Sequence, residues 1–215
     1  MRYFDLASSS PMKFDFRFTL TALCLVSMLL LIFFASHHYE PTLLTWDVPM
    51  IEDSQSLIVF LGVPLTWWYI KPKQLPEPQK WFWVWSMAWW LVLSGRSISW
   101  GRDFYPEVPH IYFRIISIFL IAPLVFLLFL KPLREEIWNK LKYATFPFWY
   151  LLIAFLSLFL ADCVEHHRFL YHVLLDSHAL QDTVEELYEY PLIFALFCSA
   201  FFFMKQDKLA LKQSG

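Results

Sequence analysis

Six apolar runs divide this 215-residue chain: Phe18 to Ser36, Leu57 to Ile70, Trp81 to Ser94, Ile111 to Leu130, Phe146 to Ala161 and Tyr190 to Met204. Runs of that kind leave few folds open. In hydrocarbon every backbone N–H and C=O must find its partner inside the segment, so each run is predicted to be a helix. With 58% hydrophobic and 20% aromatic residues the chain is too apolar for a water-soluble domain. The expected fold is all-α, a polytopic membrane bundle of six transmembrane helices in one domain, 1–215. Its spans should cover about 18–36, 54–70, 81–96, 111–130, 146–163 and 188–204. The third run is the least regular, since Trp81, Trp83, Trp85, Trp89 and Trp90 also suit an interfacial segment. The first is longer than a signal-peptide core and is expected to stay as a span.

Charge sets the orientation. With the N-terminus placed in the cytoplasm, thirteen of the seventeen Lys and Arg residues fall on the inner side, leaving Arg96, Arg102, Arg114 and Arg168 outside. That bias predicts both termini in the cytoplasm and, by its bacterial character, an inner-membrane location. The same partition puts all seven His and thirteen of the nineteen carboxylates on the outer, periplasmic side. Such a mouth attracts cations and repels anions. No nucleic-acid partner is expected. Three cysteines supply neither a disulfide framework nor a CxxC pair.

Between the runs, Lys71 to Lys80 carries Pro72, Pro76 and Pro78 and reads as an extended loop. Leu133, Ile137, Trp138 and Leu141 have helical spacing within Lys131 to Lys142, which reads as a short amphipathic surface helix. Pro147 and Pro191 fit first-turn positions, whereas Pro64 and Pro123 should bend their helices.

Three polar clusters collect at the outer side. In Ser94 to Pro106, a helix continued outward would place Arg96, Trp100 and Asp103 on one face, with Arg102 close by. An arginine at a span end either answers a buried partner or snorkels to headgroup phosphate. In Asp162 to His178, one continuous helix would gather Asp162, Glu165, His166, His172 and Asp176 within an arc of roughly 120°. Imidazole and carboxylate together suit a divalent metal such as zinc (Zn) or manganese (Mn), although the spacing matches no HExxH motif. Interfacial histidines without metal are the plainer alternative. In Asp182 to Pro191, Glu185, Glu186 and Glu189 share a stripe. The helix dipole accounts for acids in a first turn, but Glu189 lies deeper. The string Glu52-Asp53-Ser-Gln55 adds a smaller contribution at the outer start of the second span.

The string Gly95-Arg-Ser-Ile-Ser-Trp-Gly-Arg102, followed by Asp-Phe-Tyr-Pro, resembles a signature of small polytopic bacterial inner-membrane proteins, roughly [EG]-[ER]-x-[IM]-S-W-G-[QR]-x-[FL]. In that family an acid opens an earlier span, as Glu52 does, and a late Glu-Glu precedes a final span, as Glu185 and Glu186 do. Ser97 stands where the relatives carry Glu. The resemblance implies an integral membrane protein with an outer polar site and supplies no reaction.

Three function classes follow. In the first, a divalent ion held by Asp162, Glu165, His166 and His172 assists a hydrolase or transferase acting on a lipid or other amphiphile. Glu186 or Glu189 would move protons, Arg96 or Arg102 would clamp an anionic headgroup, and Asp103 completes the candidate catalytic set. The second is a non-catalytic partner or assembly subunit of a membrane-protein complex. The third is a cation or proton transporter component, against which the run centres lack ionisable residues.

Overall fold

The computed structural model describes residues 13–38, 48–102, 104–175 and 178–214. Among these residues eight α-helices follow one another: α1 (Leu20–His38), α2 (Val48–Ile70), α3 (Glu77–Ser97), α4 (His110–Leu127), α5 (Lys131–Tyr143), α6 (Phe148–Glu165), α7 (Tyr171–Leu174) and α8 (Gln181–Ser214). The all-α expectation holds. Among the described residues five segments are long and apolar enough to cross a membrane: Leu20–His38, Val48–Gln74, His110–Leu127, Phe148–Glu165 and His178–Lys212. They coincide with five of the six apolar runs. Helix α3 has the length, 21 residues, but its tryptophans and its charged ends make it less apolar.

Helix α8 is the axis against which α1, α2 and α6 pack, while α3 joins α2 and extends the bundle to α4 and α5. Without a hydrophobic drive between helices in lipid, close approach needs small side chains or shared hydrogen bonds. Both are present. Ala22, Ala154 and Ala195 meet in the seam of α1, α6 and α8. Gly62 lets the Trp90 ring lie on the α2 backbone, where an added Cβ would stand 2.7 Å from it. Ser56 and Ser94 exchange bonds to each other's carbonyl, at 2.9 and 3.0 Å, and pin α2 to α3. Trp85 Nε1 donates to the Leu124 carbonyl at 3.1 Å and attaches α4.

Two short strands, β1 (Lys13–Asp15) and β2 (Thr145–Pro147), pair in parallel with Lys13 opposite Thr145. Thr145 also exchanges both backbone bonds with the Gln206 side chain. The starts of α1 and α6 and the last turns of α8 therefore share one end of the bundle. That end carries the described lysines. The opposite end carries Glu52, Asp162, Glu165, Glu185, Glu186 and Glu189.

Four local expectations change. The segment after Lys71, which has φ of 51°, is a tight Pro72–Gln74 turn, and α3 already starts at Glu77. Pro191 lies inside α8 and not in a first turn, because the acidic stripe before it is itself helical. Outward continuation of α3 fails: Ser99, Trp100 and Gly101 have φ of 48°, 63° and 94°, and the chain reverses there. Helix α6 stops at Glu165, and His167, at φ 50°, turns the chain before the four-residue α7. The single long helix assumed for Asp162 to His172 does not form.

Candidate functional site

At the acidic end a cavity of about 610 Å³ opens between α2, α3, α6 and α8. Each helix delivers side chains through its own periodicity. Helix α8 supplies Glu185 and Glu186 with Glu189 one turn on, and α6 supplies Asp162 and Glu165 from its last turn, with His166 directly after its end. Helix α2 contributes Glu52. Arg96 and Ser97 come from the end of α3, and Ser99 from the reversal that follows. Glu52, Asp162, Glu185, Glu186 and Glu189 are partly buried, while Glu165, His166 and Arg96 stand at the exposed rim. Below them the lining turns apolar, with Val59, Trp90, Leu93, Leu158, Ile193 and Leu196.

The walls are held by bonds that also aim the carboxylates. Gln55, 1% exposed, donates from Nε2 to the Glu186 carbonyl at 2.8 Å, fixing α2 against the acidic stripe. One turn away Ser54 bonds the Tyr190 hydroxyl. Ser97 Oγ donates to the Glu52 carbonyl at 3.2 Å, which ties the α3 end to α2. The Arg96 guanidinium lines the same cavity as Glu189 and brings the positive charge of the α3 end to it. On the α6 side, Arg168 Nε stands 3.0 Å from Asp162 Oδ2, and His166 Nε2 lies 3.9 Å from Asp162 and 3.8 Å from Glu165. Six carboxylates thus face Arg96 and the imidazole of His166, an arrangement that disfavours an anion and favours a cation.

Of the residues singled out from sequence, Glu186, Glu189, Arg96, Asp162, Glu165 and His166 meet in this cavity. Arg102 does not. It lines a neighbouring, more open cleft of about 670 Å³ with Val48, Pro49, Pro106 and His110, and Glu52 and Ser99 form the wall common to both. Asp103 and Asp176 lie outside the described residues. His172 is exposed on α7 and lines neither space.

The proposed four-residue metal set is corrected. Among the described residues, no three His, Cys, Asp or Glu side chains are grouped to hold an ion. The break after Glu165 removes His172 from the arc, and Arg168 occupies one oxygen of Asp162. Sequence reasoning also missed the apolar floor. Its run of tryptophans suits an interfacial segment, yet Trp90 is 5% exposed, stacked on Phe197 at 4.6 Å and seated over Gly62. The Gly62 and Trp90 pair was the available signal.

Comparison with family models, with curated proteins and with solved structures finds no match for this chain.

Proposed function

We propose that this chain is a multi-pass protein of the bacterial inner membrane whose acidic cavity binds the cationic head of an amphiphile and performs acid–base chemistry on it, as a hydrolase or transferase. One observation carries the reading: carboxylates from α2, α6 and α8 line a single cavity whose floor is apolar. A polar head would sit among Glu52, Glu185, Glu186 and Glu189, and its chain would descend along Trp90, Leu93 and Leu196. Neighbouring carboxylates away from bulk water let one accept a proton while another donates. Glu186 and Glu189 are the pair for that role. Arg96 stands at the rim of the same cavity as a counter-charge to the acids, a role different from the clamp for an anionic head expected from the sequence.

The reading places six spans in the bilayer, with α3 as the third, and both termini in the cytoplasm. It is supported by the position of the basic residues at one end of the bundle. The likeness of Gly95 to Arg102 to the bacterial membrane-protein signature belongs to the same proposal. It gains physical sense because Ser97 and Ser99 of that string line the cavity.

The test is binding of an alkyltrimethylammonium and an alkyl sulfate of equal chain length, each below its micellar concentration, to protein in nanodiscs. Quenching of tryptophan fluorescence gives the readout. The cation should bind, and Glu186→Gln with Glu189→Gln should weaken it about tenfold or more, as expected for two charge contacts. Equal binding of the sulfate, or undiminished binding by the double variant, would end the proposal.

A further inference from the structure

The geometry points to a second ligand site, at the basic end of the bundle, where a groove between α1 and α2 takes one anionic phospholipid. It is independent of the acidic cavity. Helices α1 and α2 each pack against α8 but scarcely against each other, which leaves a space of about 540 Å³ over the α8 surface. Trp68, Phe197 and Phe201 form its apolar walls, and Thr21, Tyr150 and Lys205 stand at its polar edge. From Phe197 to Lys205 the α8 axis advances about 12 Å, enough to follow the upper part of an acyl chain.

Charge selects the head. Lys205 is exposed, and Lys208 Nζ lies 3.7 Å from the centre of the Tyr69 ring. Neither has a carboxylate within salt-bridge reach among the described residues. The neighbouring acid, Asp207, is turned inward and taken by Lys140 at 2.6 Å. Across the groove the hydroxyls of Thr19, Thr21 and Tyr150 bond one another, with Thr19 Oγ1 2.7 Å from the Tyr150 oxygen. Two ammonium groups and a hydroxyl cluster around an apolar slot match a phosphate carrying acyl chains. A second copy of the chain fits less well, because four of the described acids at this end are already engaged: Asp15 by Arg17, Glu135 by Lys131, Glu136 and Asp207 by Lys140.

The experiment measures thermal unfolding of detergent-purified protein against titrated phosphatidylglycerol, phosphatidylcholine of the same chains, and inorganic phosphate. Phosphatidylglycerol should stabilise at the lowest concentration. Combining Lys205→Gln with Lys208→Gln should raise that concentration about fivefold per lysine, whereas Lys131→Gln, an exposed cation elsewhere at this end, should leave it unchanged. Cys198→Trp, which fills the groove and keeps both lysines, should abolish the difference between the two lipids, and it carries the test if the lysine variant does not fold. The inference falls if the two lipids act alike on the parent, if both variants keep its preference, if phosphate alone matches phosphatidylglycerol, or if stabilisation tracks a dimer.

Discussion

Gly95 acts through what it lacks. A Cβ there would stand 2.8 Å from the Trp100 ring, so the indole folds back over the last turn of α3 only because the position is glycine. That contact offsets the strain of two non-glycine residues, Ser99 and Trp100, held at positive φ, which costs on the order of 1–3 kcal/mol each. It also sets Ser99 between the acidic cavity and the Arg102 cleft. Gly95→Ala should therefore destabilise the protein by about 1–3 kcal/mol through overpacking, read as a lower Tm by circular dichroism in detergent. An unchanged Tm would mean that the ring does not need this surface. The sequence could not show the reversal. Arg96, Trp100 and Asp103 also have the spacing of a helix face, and the choice between the two is made by Trp100 finding a seat on Gly95. Glu185, Glu186 and Glu189 were legible because their stripe lies on a helix that does continue, and Asp162 with Glu165 because both precede the break. His172 was not, since nothing local announces that His167 turns the chain.

Helix α5 shows the same divide between pattern and context. Its length and amphipathic character follow from Lys131 to Lys142, yet the side turned to the protein is not the apolar one. Leu133 and Glu136 are buried, whereas Trp138 and Leu141 are exposed, as suits a helix lying at a membrane surface. What attaches it is ionic. Lys140 Nζ reaches both oxygens of Asp207, at 2.6 and 2.8 Å, and stands 3.4 Å from Glu136, while Trp83 Nε1 donates to Asp207 at 2.7 Å. Removing the ammonium leaves two buried carboxylates without their cation, so Lys140→Met should cost about 3–5 kcal/mol. Chemical denaturation with tryptophan emission measures it, and a loss below about 1 kcal/mol would make the network incidental. Burial, with Asp207 nearby, raises the pKa of Glu136 against the opposing pull of Lys140. A raised carboxyl binds its proton more tightly when folded, so its stabilisation is full below the ordinary glutamate range and is lost as pH climbs through the raised value. The parent should lose stability over that rise and Glu136→Gln should lose less; parallel pH profiles would contradict the assignment.

At the scale of the molecule the open question is how many times the chain crosses, and α3 decides it. The pairing of β1 with β2 holds the starts of α1 and α6 at one end, and the Arg102 cleft brings the start of α2 and His110 of α4 together at the other. Helix α3 leaves the first end at Glu77 and reaches the second at Ser97, so it runs the length of the bundle beside α2 and α4. Its weak hydropathy follows from tryptophans counted as polar, and from Glu77, Lys80 and Arg96, which lie in its end turns where long side chains reach the interface. Indole is amphipathic, and Trp83 and Trp90 are buried against other helices and need not face lipid. An apolarity count therefore finds five spans among the described residues, and the six-span proposal rests on α3 as a further traverse, which periodicity leaves undecided because it does not report what covers the run. The prediction is made with the native cysteines replaced by serine and single cysteines introduced as Lys73→Cys, Glu107→Cys and Lys131→Cys. A membrane-impermeant thiol reagent applied to sealed vesicles of one orientation should label Lys73→Cys and Lys131→Cys together, and Glu107→Cys only in vesicles of the opposite orientation. If α3 instead lies along one surface, Lys73→Cys and Glu107→Cys will label together and Lys131→Cys will part from both, placing the start of α6 across the membrane from the start of α1 and dismantling the β1–β2 pairing.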